Sequence, residues 1–139
     1  MRRPSARYAG FIALAAGISA CAPSAERRAP DVRVTITCTR VRVNVTIGGW
    51  VVHQNPSGQV RLQLVAGANV ASINVVPKDA TSWPFTPPPP YVVPSGGQQI
   101  LTVNSSAQPG TYSYNIVGTC TPTDGPAQSV TIDPDIVVD

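Results

Sequence analysis

The stretch Asp31-Val-Arg-Val-Thr-Ile-Thr-Cys38 decides the fold of this chain, because its apolar and polar residues alternate with a period of two. Successive side chains of a β-strand point to opposite faces, so one face of this stretch is apolar and the other carries Arg33 and two threonines. The apolar face consists of Val32, Val34, Ile36 and Cys38. The pattern predicts a half-buried strand of an antiparallel sheet.

The same alternation continues along the chain. It repeats from Val41 to Ile47 before Gly48-Gly49 interrupts it, and Pro- and Gly-rich turns separate the later apolar segments. These later segments are Trp50–Val52, Val60–Val65, Ala71–Val76, Gln99–Val103, Thr111–Val117, Ser129–Ile132 and Ile136–Val138. Beyond the N-terminal segment, apolar residues do not recur at helical spacing. We therefore expect residues 31–139 to form one all-β domain, an antiparallel two-sheet β-sandwich of about 7–9 strands, with a closed barrel as the alternative.

Cys38 and Cys120 are expected to form a disulfide. Stepping back from Cys120 by twos reaches Ile116 and Tyr114, so both cysteines fall on apolar strand faces. The alternative is a metal or redox pair, but the chain has no Cys-x-x-Cys motif and a single histidine, His53.

Residues 1–20 have the features of an export signal: Arg2, Arg3 and Arg7 precede an apolar core at 9–18 that is short for a membrane span. The last residues, Ile18-Ser-Ala-Cys21, resemble the lipobox of bacterial lipoproteins. That resemblance implies that Cys21 is acylated and becomes the new N-terminus. Cleavage by an ordinary signal peptidase is the competing interpretation. Residues 21–30, rich in Ala, Pro, Ser and Arg, are expected to form a flexible tether.

The net charge and the predicted export signal restrict the possible binding partners. The formal net charge is +3, and the three arginines of the signal account for it, so the mature chain is nearly neutral and gives no indication of nucleic-acid binding. The lipid anchor would attach the domain to a membrane of the bacterial envelope. Ala22 after the cysteine resembles lipoproteins sent to the outer membrane; a periplasmic or secreted protein is the alternative.

Two segments near the C-terminus carry a family resemblance. Pro109–Val117 resembles the penultimate strand of cupredoxins, and Val130–Val138 resembles the closing strand of small cupredoxin-like sandwiches without copper. The resemblance implies a Greek-key sandwich. Cupredoxins continue the first of these strands with cysteine, histidine and methionine ligands, whereas this chain has no histidine after His53 and no methionine after Met1. It therefore implies the fold without the electron transfer.

Immunoglobulin-like sandwiches are a second resemblance. The spacing of Cys38 and Trp50 is typical of the cysteine and tryptophan of those domains, whereas Tyr114 precedes Cys120 by more than the two residues of the immunoglobulin motif. On this comparison Trp50 is expected to be a core residue packed near the disulfide.

Catalytic and metal-binding residues are sparse. His53 is expected to face solvent at a strand end, and no acid–base pair or nucleophile accompanies it. Asp133, Asp135 and Asp139 could hold calcium at a domain tip, although Asp133-Pro134 is more typical of a bend in the last strand. The sequence favours a protein that is not an enzyme, needs no cofactor and has no metal site, with a copper or calcium carrier as the remaining metal hypothesis.

The Pro-rich segment from Trp83 to Tyr91 has two interpretations. Its proline run is expected to be stiff and extended. Either Trp83 and Phe85 fold over an open end of the sandwich as a cover, or Trp83, Phe85 and Tyr91 form an exposed surface for a polysaccharide or protein partner. The hypotheses for function are thus a structural or interaction module of an envelope lipoprotein, a glycan- or protein-binding module, and a metal-binding periplasmic protein.

Overall fold

The structure is a computed structural model that describes residues 29–67 and 69–139. The predicted signal, Cys21 and most of the predicted tether lie outside these residues. The described chain contains strands and turns but no helix. Its strands are β1 (Asp31–Thr39), β2 (Arg42–Gly48), β3 (Val51–Gln54), β4 (Gln59–Leu64), β5 (Val70–Pro77), β6 (Phe85–Thr86), β7 (Tyr91–Pro94), β8 (Gln98–Val103), β9 (Gly110–Cys120), β10 (Gln128–Ile132) and β11 (Asp135–Val138).

The strands form two open sheets. One sheet has the order β2-β1-β4-β8-β6, and the other has the order β3-β11-β9-β5-β7, with β10 also paired to β9. The prediction of an all-β fold with two sheets is confirmed, and open sheets rather than a closed barrel are observed. The arrangement is compatible with a sandwich.

The expectation of purely antiparallel sheets is wrong. β1 pairs with β4 in parallel, and β11 pairs with β3 in parallel, while the other pairs are antiparallel. The chain leaves the first sheet after β2, forms β3 in the second sheet and returns as β4 on the other side of β1. The period-two pattern reports which face of a strand is apolar; it does not report the neighbouring strand or its direction.

The described chain has eleven strands instead of the expected 7–9. Of the two additional strands, β6 lies within the segment that the sequence assigned to an extended proline-rich loop, and β7 begins at Tyr91, the last residue of that segment. Proline can occupy the ends and edges of sheets, and β7 lies at a sheet edge and ends with Pro94.

The core of the described chain is apolar, with no buried charged side chain and with tyrosines and Trp83 as the buried side chains that carry a hydroxyl or N–H group. The predicted inward face of β1 is buried, from Val32 at 0% exposure to Cys38 at 7%. The two sheets approach closely at Gly118 of β9, where an added Cβ would lie 2.9 Å from Cδ1 of Ile36 in β1. A larger residue at this position would require the end of the Ile36 side chain to move.

The predicted disulfide is confirmed. Cys38 of β1 and Cys120 of β9 are bonded, with Cα atoms 6.1 Å apart and a sequence separation of 82 residues. Because β1 and β9 belong to different sheets, the bond joins the two sheets covalently.

The prediction for Trp50 is wrong. Its side chain is 51% exposed, whereas Val52 at 5% exposure faces the core. Gly49 has a positive φ of 81° and turns the chain between the sheets, which breaks the period-two phase before Trp50. Cys38 lies opposite Val43, whereas Gly48 lies opposite Arg33, so Trp50 follows the end of β2 that is remote from the disulfide.

The disulfide should contribute strongly to stability. In the chain-entropy model, closing a loop of this length destabilises the unfolded chain by about 4 to 5 kcal/mol. We expect Cys38→Ala/Cys120→Ala to lower the free energy of unfolding by about this amount, measured by urea denaturation in a background with Cys21→Ala. Wild-type protein under reducing conditions is the control and should match the double variant. The prediction would be contradicted if the oxidised protein and the double variant unfolded at the same urea concentration.

Candidate functional site

The aromatic segment between β5 and β7 is buried. Trp83, Phe85 and Tyr91 have exposures of 9%, 3% and 3%. The rings of Trp83 and Phe85 lie 4.6 Å apart at an angle of 51°, and the Trp83 ring also contacts Tyr112 and Tyr114 edge-on. These rings form a cluster on the core, as the interpretation of this segment as a cover predicts.

Hydrogen bonds complete this cover. The indole Nε1 of Trp83 donates to the Tyr91 hydroxyl over 2.9 Å, and that hydroxyl donates to the Pro87 carbonyl over 2.6 Å. Both polar groups at the top of the cluster are therefore paired within the protein. The alternative of an exposed surface made of Trp83, Phe85 and Tyr91 is contradicted, because burial against the core and internal hydrogen bonding occupy the faces and polar atoms that a ligand would contact.

A groove of about 340 Å³ lies beside the cover. Lys78, Asp79, Ser82, Trp83, Thr111, Tyr112 and Ser113 line it. Its charged groups already have partners: Lys78 Nζ lies 2.6 Å from Asp133, and Asp79 accepts hydrogen bonds from Thr81 and Ser82. The bonds from Thr81 and Ser82 hold the pKa of Asp79 below its usual value. The charged groups of the groove are thus already paired within the protein, and the hydrogen bonds of Asp79 stabilise the loop from Asp79 to Ser82.

The residues considered for metal binding are dispersed. His53 is exposed, as expected, and its Nδ1 lies 3.1 Å from Asp139. Asp133 pairs with Lys78, and Asp135 accepts a hydrogen bond from Ser113 over 2.6 Å. Within residues 29–67 and 69–139 no three His, Cys, Asp or Glu side chains are close enough to hold a metal ion together. The three aspartates of the calcium hypothesis thus each contact a different partner.

Two buried tyrosines differ in their surroundings. The hydroxyl of Tyr91 has the two partners described above, whereas the hydroxyl of Tyr114 is buried and has no protein partner in the described part of the chain. Burial raises the pKa of Tyr114, and the negative charge of Asp135 raises it further. Burial also raises the pKa of Tyr91, against the lowering effect of the hydrogen bond from Trp83.

The open edge of β2 is the most accessible candidate for an interaction site. β2 is an outermost strand of its sheet, is seven residues long, contains no proline and has one charged residue, Arg42, at its first position, so it has few of the devices that commonly protect edges. The other outermost strands of the two sheet orders are shorter: β3 and β7 have four residues each and β6 has two. Residues 42–48 with their unpaired side are called the β2 edge below.

Of the seven large apolar side chains that are exposed in the described chain, four lie in the β1–β2 hairpin or directly after it in the chain, and the other three are Val76, Val92 and Ile100. Val41 is 89% exposed at the tip of the β1–β2 hairpin, and Val45 is 38% exposed within the strand. Trp50 and Val51, which follow β2, are 51% and 54% exposed. Val45 shares its sheet face with its buried neighbour Ile36, but the second sheet covers it less because β2 lies outside β1. The sequence predicted the alternating pattern of β2 correctly but could not predict that the strand lies at an edge.

The same hairpin carries unpaired positive charge. Of the basic residues in the described chain, Arg61 lies 3.4 Å from Asp31 and Lys78 pairs with Asp133. Among those residues, Arg33, Arg40 and Arg42 have no carboxylate within salt-bridge distance, and all three belong to the β1–β2 hairpin.

Comparisons of the chain with protein-family models, with curated proteins and with solved structures find no match. The resemblances to lipoproteins, cupredoxins and immunoglobulin domains therefore stay predictions from the sequence. In the part of the chain that the structure describes, no helix is long and apolar enough to cross a membrane.

The two buried tyrosines provide a matched pair of substitutions. Tyr91→Phe should lower the free energy of unfolding by about 1 to 3 kcal/mol, because it leaves the buried Trp83 N–H without an acceptor. Tyr114→Phe should leave that free energy unchanged or raise it, because the deleted hydroxyl has no protein partner among the described residues. Urea denaturation measures both effects, and equal losses in the two variants would contradict this account of the cover.

The raised tyrosine pKa values predict a loss of stability at alkaline pH. Above about pH 10 the unfolded chain releases the phenolic proton, whereas folded Tyr114 retains it. The free energy of unfolding should therefore be insensitive to Tyr114 below that pH and fall above it, by up to about 1.4 kcal/mol per pH unit for one group. Denaturation curves from pH 8 to 11 should show a smaller decline in Tyr114→Phe than in wild type. Identical declines would contradict the prediction.

Proposed function

We propose that this chain is an exported lipoprotein, acylated at Cys21, whose β-domain is a non-enzymatic interaction module of the bacterial envelope. The lipobox-like stretch before Cys21 supports the anchor. The disulfide between Cys38 and Cys120 supports export, since such bonds persist in oxidising compartments. The outer membrane is the proposed location, because Ala22 follows the acylated cysteine.

We further propose that the domain is a cupredoxin-like or immunoglobulin-like Greek-key sandwich without copper. Two sheets with a buried apolar interface and a disulfide between them support this fold. The parallel pairs β1–β4 and β3–β11 are consistent with a chain that alternates between sheets rather than with consecutive hairpins.

The proposed interaction role is based on the unpaired β2 edge. An unpaired strand edge presents backbone N–H and C=O groups that bind an added strand, and exposed side chains next to it supply specificity. Here the edge is seven residues long, contains exposed Val45 and directly follows exposed Val41. An added strand would cover this apolar surface and satisfy the free backbone groups together.

One experiment in living cells tests the anchor and the interaction role with separate readouts. The full-length chain is expressed in a Gram-negative host with labelled palmitate, and a photo-crosslinking amino acid replaces Asn44 in the β2 edge. We expect the chain to incorporate palmitate, sediment with membranes and form crosslinked adducts from position 44. Cys21→Ala should lose the label and the sedimentation, because the acylated thiol is absent.

The control for crosslinking is the same amino acid at Thr119, an exposed position of the internal strand β9. It should give few adducts. An unlabelled wild-type chain would overturn the lipoprotein proposal. The interaction role of the β2 edge would be overturned if positions 44 and 119 gave adducts in equal yield, or if neither position gave adducts.

A further inference from the structure

The β1–β2 hairpin determines which backbone groups of β2 are free. β1 ends at Thr39 and β2 begins at Arg42, so the connection has two residues and the pair Thr39–Arg42 is a hydrogen-bonded pair. Hydrogen-bonded and non-hydrogen-bonded pairs alternate along an antiparallel ladder. The N–H and C=O groups of Val43, Val45 and Ile47 therefore point away from β1, toward the open side of the sheet.

This set of outward groups is symmetric about Val45. If a second β2 strand lies antiparallel with Val45 opposite Val45, then Val43 lies opposite Ile47, and every opposed pair of outward residues can exchange two hydrogen bonds. Three such pairs provide about six backbone hydrogen bonds. In this register Arg42 lies opposite Gly48, so all seven residues of β2 are paired. A shift of the register by two residues leaves strand ends unpaired.

The side chains are complementary in the same register. On the face toward the core, valine and isoleucine of one strand lie opposite valine and isoleucine of the other, which extends the apolar surface across the junction. On the opposite face Asn44 lies opposite Thr46, and Arg42 lies opposite glycine. No charge lies directly opposite a like charge.

From these features we propose that the β2 edge binds the β2 edge of a second copy of this chain, antiparallel about a two-fold axis at Val45. The two five-stranded sheets then form one continuous sheet of ten strands. The proposal rests on the proposed function, in which the β2 edge is the interaction site, and names its partner. A two-fold interface of this kind closes on itself and leaves no further β2 edge free.

The attachment of the chain to a membrane is compatible with this dimer. Asp31 lies five residues from Ile36, the β1 neighbour of Val45, so the two Asp31 residues are separated by about 33 Å along the strand direction. The chain from Cys21 to Pro30 can span at most about 33 to 36 Å when extended. Both copies can therefore reach the same bilayer through their own anchors.

The arginines of the hairpin predict the salt dependence of the dimer. Arg33 lies beside Gly48 in its own sheet, and Gly48 lies opposite Arg42 of the second copy. The two arginines are thus two strands apart, about 9 to 10 Å, a distance over which salt at 0.15 M screens exposed charges. We expect the dimer to tighten as the salt concentration rises.

Cysteine crosslinking in the full-length, membrane-attached chain tests the register. Val45→Cys should form a covalent dimer on a non-reducing gel, because opposed residues of a hydrogen-bonded pair have Cα atoms about 5.5 Å apart. Thr46→Cys is the matched control: Thr46 lies opposite Asn44, so the two introduced cysteines are offset along the strands. The proposed pairing would be overturned if Val45→Cys and Thr46→Cys crosslinked equally, or if neither variant crosslinked.

Sedimentation of the mature chain with Cys21→Ala tests association without crosslinking. Val45→Pro removes an N–H that points away from β1, so the β1–β2 ladder is retained while the added strand loses a donor. We expect a dimer for wild type and at least about a tenfold higher dissociation constant for Val45→Pro. Val45→Asp, which places two carboxylates opposite each other, should weaken the dimer similarly while urea denaturation reports that each variant is folded.

The same measurements distinguish the dimer from other ligands of the β2 edge. A wild-type chain that stays monomeric at all concentrations would overturn the dimer. So would a monomer that binds phosphatidylglycerol vesicles through Arg40 and Arg42 and is released by salt, since salt has the opposite effect on the dimer. If the dimer is overturned in this way, the proposed function is still supported when the chain incorporates palmitate and position 44 forms photo-adducts whose masses differ from that of a dimer.

Discussion

The contact between the apolar faces of the two sheets is the constraint on which the rest of the structure depends. The described chain has no helix and buries no charged side chain, so its stability derives from the close approach of β-branched and aromatic residues across the two sheets. Gly118 lets β9 approach Ile36, and the bond between Cys38 and Cys120 holds the same two strands together. Close packing and covalent linkage therefore act on the same pair of strands.

The aromatic cover follows from this contact. A pair of sheets leaves apolar side chains open at its ends, and here Trp83 and Phe85 fold onto Tyr112 and Tyr114. The Trp83 N–H donates to the Tyr91 hydroxyl, which donates to the Pro87 carbonyl, so these two polar groups are buried and satisfied, unlike the Tyr114 hydroxyl. The aromatic residues of this segment consequently stabilise the domain, and exposed apolar side chains lie elsewhere, among them Val41 and Val45 of the β1–β2 hairpin.

The β2 edge is a consequence of the route of the chain. After β2 the chain crosses to the second sheet, so no later strand covers the outer side of β2, and the hairpin keeps its arginines and exposed valines. A long edge of this composition is prone to uncontrolled association unless it has a partner. The symmetric partner proposed above removes that hazard.

The sequence by itself determined the properties that depend on neighbouring residues: the all-β class, the inward face of β1 and the inward direction of both cysteines. These follow from the two-residue period of a strand, which holds whatever the strand packs against. Tertiary structure alone decided the parallel pairs, the burial of Trp83 and the exposure of Trp50 and Val45. Val34 and Val45 occupy equivalent positions in similar alternating patterns, yet one lies in an internal strand and the other at an edge. The burial of a residue depends on which distant strand lies beside it, and that is fixed by the packing of the whole chain rather than by any local stretch.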